Sequence, residues 1–136
     1  MGISLISISH QNAPLSVREL FAFPENVQVD LMKQMLERKS AQECVMISTC
    51  NRTEVYTWSD SESSHFTDMQ ELLLEFAGAA QMEHMSDYVR FYSGSKAVKH
   101  LFHVAAGLDS MVMGEDQILG QVKRAHEQAR CAGTCE

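Results

Sequence analysis

A chain of 136 residues, 45% apolar and 21% charged, has room for one compact domain with a core but not for two large ones. Its net charge of −7 and the absence of any basic run exclude a broad nucleic-acid-binding surface, because affinity for phosphate backbones rests on Lys and Arg. No apolar run approaches the roughly 20 residues that span a bilayer, Met1-Gly2-Ile3-Ser4 lacks the basic start of a secretory signal, and the 4 cysteines form no disulfide framework, so a reducing cytoplasm is expected.

In chain order, Ile3 to Ser9 reads as a strand ended by His10-Gln11-Asn12-Ala13-Pro14. Ser16 to Phe21 reads as a short helix. Pro24 then opens a longer one to about Lys39, with Val27, Leu31, Met32, Met35 and Leu36 on its apolar face. Cys44-Val45-Met46-Ile47 and Glu54-Val55-Tyr56-Thr57-Trp58 are two further strands. Between them lies Ser48-Thr49-Cys50-Asn51-Arg52, which puts a cysteine where one strand stops and the next begins.

After the polar stretch Asp60 to Ser64, Phe66, Met69, Leu72, Leu73 and Phe76 recur at helical spacing, with Thr67-x-x-Gln70 as a capping box. Tyr88 to Tyr92 reads as a fourth strand. A helix capped by Ser95 follows, with Val98, Leu101, Phe102 and Ala105 as its buried stripe. The last helix runs from about Glu115 to Ala132, with Ile118, Val122, Ala125 and Ala129 on one face and Gly133 at its end. The order β-α-β-β-α-β doubles a split βαβ unit. The expected fold is therefore α+β, a ferredoxin-like sandwich with two additional C-terminal helices, in a single domain over residues 1–136.

Cys50 is the candidate nucleophile, at a strand end that can hold a thiol in place. An unperturbed thiol, with a pKa of about 8.5, needs a cation, a helix N-terminus or a histidine beside it to be an effective nucleophile. Arg52 is the nearest cation in sequence, and shares a face with Cys50 only if the turn keeps strand alternation. An ordinary buried cysteine fits the same position. At about 100° per residue, Lys96, Lys99 and His103 fall opposite the Val98 stripe and His100 falls at its border. From there an imidazole can reach into a cleft and transfer a proton, or simply lie half-buried. Ser110, Glu115, Asp116, Gln117 and Gln121 can line a pocket at a helix start, or only cap that helix. Cys131 and Cys135 lie one helical turn apart without a second ligand pair of zinc-type spacing, so no metal is expected.

The segments "STCNRTEVY" from Ser48, "GLDSMVMGEDQILGQVK" from Gly107, "HQNAPLSVRE" from His10 and "AVKHLF" around His100 resemble the signature segments of glutamyl-tRNA reductase, across essentially the whole chain. The resemblance implies the N-terminal catalytic domain of an NADPH-dependent oxidoreductase of tetrapyrrole (porphyrin) biosynthesis. It implies that Cys50 attacks the glutamyl-tRNA ester and that the thioester is reduced to glutamate-1-semialdehyde. His100 would then be a residue important for activity, orienting substrate or protonating the departing ribose oxygen. Thr49, Asn51, Arg52, Ser110, Glu115, Asp116, Gln117 and Gln121 would bind substrate, with Arg52 suited to a side-chain carboxylate.

Members of that family are several times longer, and no two glycines here have the G-x-G spacing of a dinucleotide fingerprint. The chain is therefore expected to be part of a longer protein, with NADPH bound and the homodimer formed by domains it lacks. It would be competent at most for acyl transfer and slow hydrolysis, and would bind tRNA weakly. A downstream semialdehyde aminotransferase is a further expected partner. Two readings stay open beside this one: a free-standing thiol esterase or acyltransferase using Cys50 and His100, and a non-catalytic ferredoxin-like binding module.

Overall fold

The computed structural model describes residues 2–38, 41–59, 66–78, 85–106 and 117–135. The described chain is a mixed α/β fold with one four-stranded antiparallel sheet and five helices. The strands are β1 (Gly2–Ser9), β2 (Glu43–Ser48), β3 (Arg52–Ser59) and β4 (Arg90–Ser93), in the spatial order β2-β3-β1-β4. The helices are α1 (Leu15–Leu20), α2 (Glu25–Glu37), α3 (Phe66–Ala77), α4 (Ser95–Ala105) and α5 (Gln117–Ala132), with a 3₁₀ turn at Met85–Asp87.

Alternation along the central strands gives the sheet two buried faces. Ile6, Ile8, Met46 and Val55 point to one side, against Leu31, Met32 and Met35 of α2 and Met69, Leu72 and Leu73 of α3. Leu5, Ile47 and Tyr56 point to the other, against Ala97 of α4 and Ala125 of α5. Both central strands are buried on both sides, which explains why β3 is almost continuously buried from Arg52 to Thr57. β2 is an edge strand, and Cys44 N–H donates to the Thr134 carbonyl at 2.7 Å, so the end of α5 covers that edge.

The expected elements are found, with local corrections. β4 begins at Arg90 rather than Tyr88, because the 3₁₀ turn carries the chain through Tyr88. Phe66 is already helical, so Thr67 lies inside α3 and does not cap it. Ser95 is the first helical residue of α4 and the capping position belongs to Gly94. There φ is 59°, a left-handed turn out of β4 that glycine adopts without strain. The expected start of α5 at Glu115 lies outside the described residues.

The largest correction concerns the rotation of α4. The buried residues are Ala97 and Val104, with Leu101 half-buried beside them, while Phe102 is 68% exposed. At 100° per residue the buried face is turned about 90° from the Val98 stripe. Small Ala97 lets the helix approach Leu5 and Tyr56 closely, and this close packing outweighs burying the bulkier Phe102. The turn brings His100 nearer the sheet.

Candidate active site

The β2–β3 hairpin is closed by its own backbone. Thr49 N–H donates to the Arg52 carbonyl at 2.8 Å, leaving Cys50 and Asn51 as its two-residue tip. The Thr49 hydroxyl oxygen accepts from the N–H groups of both Asn51 and Arg52, each at 3.2 Å, so this side chain builds the turn. His10 N–H donates to the Asn51 carbonyl at 2.9 Å and ties the tip to the end of β1.

Arg18 of α1 reaches the same tip. Its Nε donates to the Ala13 carbonyl at 3.1 Å, while Nη1 donates to the Cys50 carbonyl at 3.2 Å and to Asn51 Oδ1 at 3.5 Å. A guanidinium therefore braces the backbone that carries Cys50. The thiol itself is exposed and opens on a cleft of about 830 Å³ that includes Ser48, Thr49, Lys33, Gln121 and Arg124. Cys44 is the contrasting case. Burial, with Cys135 beside it, pushes its thiol far up from the usual range, and so keeps it protonated and inert.

A second cluster lies under α4. Glu54 is wholly buried, and its carboxylate takes hydrogen bonds from four side chains among the described residues. The Ser7 hydroxyl donates at 2.6 Å, His100 Nε2 at 2.6 Å and Arg52 Nη1 at 3.3 Å, all to Oε2; the Tyr56 hydroxyl donates to Oε1 at 2.8 Å. Burial pushes the Glu54 carboxyl up. The hydrogen bond and charge of His100, the charge of Arg52 and the bond from Ser7 outweigh it and hold the group below its usual range.

Glu54 is thus a carboxylate, which only accepts, so His100 Nε2 carries a hydrogen and Nδ1 is the nitrogen left to meet a ligand. The His100 ring also stacks on Tyr92, with centroids 4.8 Å apart and planes at 19°. Carboxylate and phenol ring together fix one orientation of the imidazole.

The residues expected from sequence fall into distinct places. Cys50, Thr49 and Gln121 share the cleft, and Asn51 forms the hairpin tip. Arg52 is only 2% exposed, on Glu54 rather than in the cleft. His100 opens instead on a shallow groove with Tyr92, Lys96, Lys99 and His103, and no hydrogen bond joins it to Cys50. Ser110, Glu115 and Asp116, together with the Gln117 side chain, lie outside the described residues. Sequence reasoning missed Arg18, Glu54, Ser7 and Tyr56. The available signal was Arg52, Glu54 and Tyr56 alternating on one face of a buried strand, where charge demands partners.

Residues 6–136 match the family described as glutamyl-tRNAGlu reductase, N-terminal domain. The chain is 42% identical over 134 residues to the glutamyl-tRNA reductase of Desulforudis audaxviator, covering 98% of this chain and 30% of that one. It is 45% identical over 134 residues to that of Geobacillus kaustophilus, covering 98% and 29%. The solved glutamyl-tRNA reductase of Methanopyrus kandleri superposes with a TM-score of 0.72 at 30% identity, covering 98% of this chain and 29% of that one. The chain thus spans about three-tenths of the length of these relatives. Over that span, it belongs to the glutamyl-tRNA reductase N-terminal domain family.

Proposed function

We propose that this chain is the catalytic domain of a glutamyl-tRNA reductase and that Cys50 is its acyl acceptor. The observation that carries this reading is the exposed thiol at the tip of a hairpin braced by Arg18, opening on a cleft, in a chain of this family. The thiolate attacks the ester carbonyl of glutamyl-tRNA. A C–S bond forms, the C–O bond to the terminal ribose breaks, and the departing ribose oxygen takes up a proton. The product is a thioester tethered to the protein.

Thr49, Asn51, Arg52 and Gln121, with Ser110, Glu115, Asp116 and Gln117, are proposed to bind the glutamyl group and the end of the tRNA. Because no hydrogen bond joins His100 to Cys50, its proposed role is to orient the ribose end and supply the leaving-group proton, rather than to deprotonate the thiol.

Reduction of the thioester to glutamate-1-semialdehyde would use NADPH. No strand here runs into the G-x-G-x-x-G turn that cradles a dinucleotide, so these residues do not fit that cofactor and no step through it is derived from them. In the longer protein the same reading gives cofactor binding and dimerisation to other domains, a cytoplasmic setting, and transfer of the semialdehyde to an aminotransferase. The strand order, with β3 between β1 and β2, also supports the finer reading of a ferredoxin-like sandwich to which α4 and α5 have been added.

The test is covalent. After incubation with glutamyl-tRNA, mass spectrometry of the peptide carrying Cys50 should show an added glutamyl residue that Cys50→Ser abolishes. No adduct on correctly folded protein would refute acyl transfer, and equal turnover of simple esters would move the reading to a thiol esterase.

A further inference from the structure

The charge of this chain is unevenly spread. The chain carries 18 acidic against 11 basic residues, yet α4, from Ser95 to Ala105, contains Lys96, Lys99, His100 and His103 and no acid. On a helical projection these four side chains fall within an arc of about 100°, with Lys99 and His103 farthest from the buried Ala97 and Val104 and His100 at the edge nearest them. Lys96, Lys99 and His103 are exposed, and Phe102 lies beyond the arc. The four line a groove of about 220 Å³ whose remaining described wall is Tyr92, stacked on His100. That volume is below the range of drug-sized sites but suits a phosphodiester group.

We propose that this groove on α4 is a contact site for the single-stranded 3′ end of the RNA substrate. Lys96 and Lys99 would meet successive backbone phosphates, and the edge of the Tyr92–His100 stack would offer a ring to a base. Cationic side chains interleaved with stacked aromatics are the physical requirements for holding single-stranded nucleic acid without reading its sequence. The inference rests on the reading above that the acyl donor is an aminoacylated tRNA. It also fits the overall negative charge: an acidic chain repels RNA in general, so a helix with basic side chains and no acid helps to fix the direction from which the 3′ end arrives. His100, with Nε2 held by Glu54, lines the same groove as the two lysines.

The experiment is binding of a fluorescent single-stranded RNA octamer ending in CCA, followed by anisotropy at several salt concentrations, with the wild-type chain, Lys96→Gln/Lys99→Gln and Lys96→Arg/Lys99→Arg. Each phosphate contact on a single strand contributes about 0.7 to the slope of log K against log salt. The double glutamine variant should therefore lose about 1.4 from that slope and about 25-fold in affinity at 0.1 M salt, while the arginine variant binds as wild type. Both lysines are exposed, so an unchanged thermal melt will show that the fold is intact.

Equal affinity and slope for wild type and the glutamine variant would overturn the proposal. So would displacement of the RNA by inorganic phosphate at a similar concentration of phosphate groups, because the groove would then be a simple anion site. The two readings fail separately. RNA binding lost in the glutamine variant without any glutamyl adduct on wild-type Cys50 would remove the proposed function and keep the groove. An adduct on Cys50 with RNA binding unaffected by the variant would do the reverse.

Discussion

Replacing Glu54 by Gln changes one oxygen to an amide nitrogen at the centre of the buried cluster. Oε2 receives Ser7, His100 and Arg52, while Oε1 receives Tyr56, whose hydroxyl can rotate to accept instead. A glutamine would therefore place its carbonyl at the Oε2 position and its NH₂ toward Tyr56. All four contacts survive in geometry, and what is lost is the negative charge opposite Arg52 and His100. Charge-assisted bonds contribute roughly 1 kcal/mol more than neutral ones, so two of them set a cost of about 2–3 kcal/mol. For a chain of this length that is roughly 8 °C of melting temperature.

The pH dependence of that loss identifies its cause. Glu54 is held below its ordinary range in the folded chain, so its ionisation stabilises the fold above the unfolded-state value of about 4.3. The contribution is lost as pH falls through the lower folded value. Melting curves followed by circular dichroism should show the full gap between wild type and Glu54→Gln at pH 7 and a narrowing gap as pH falls below about 4. Other carboxylates titrate equally in both proteins and cancel. A gap absent at pH 7, or one constant into acid, would refute the view that Glu54 acts as a buried carboxylate held by Arg52 and His100.

Thiol reactivity should follow burial. Cys50 and Cys131 are exposed and should react with Ellman's reagent within the mixing phase, whereas Cys44 should react only at the rate of global unfolding; fast labelling of Cys44 in native buffer would contradict its place behind the end of α5. Arg18→Ala should leave stability within about 1 kcal/mol, since the side chain is only partly buried, but slow glutamyl transfer to Cys50 roughly tenfold by loosening the hairpin tip. Arg18→Lys should not restore the rate, because one ammonium does not span the Ala13 and Cys50 carbonyls as the guanidinium fork does. Full activity in either variant would show that the brace is incidental to transfer.

How far the sequence reveals this site depends on the distance over which its physics acts. The elements were legible because each is set locally: apolar and β-favouring runs mark β1 to β3, the Leu31–Met32–Met35 spacing marks α2, and Cys50 falls between two strand signals. The rotation of α4 was not legible, because it depends on which side chain lets the helix approach the sheet. By hydrophobicity Phe102 should lie inside; by contact it is Ala97 that is buried, under Leu5 and Tyr56. That single tertiary choice turns His100 toward Glu54, a partner 46 residues away. Glu54 could be suspected from sequence, since a carboxylate in a strand buried on both faces must find donors. Its donors could not be named without the register, which sets Ser7 directly opposite it across β1 and β3. The same turn of α4 sends Lys96, Lys99 and His103 outward as one stripe beside His100. One packing decision at Ala97 therefore positions both the buried carboxylate–imidazole pair and the basic groove next to it. An Ala97→Leu variant should disturb the two together: overpacking costs about 1–3 kcal/mol, and relief by rotating α4 would pull His100 from Glu54. Loss of the His100–Glu54 hydrogen bond by NMR together with weakened RNA binding is the expected result. Weakened RNA binding with that hydrogen bond intact would show that the groove is set by something other than the packing of Ala97.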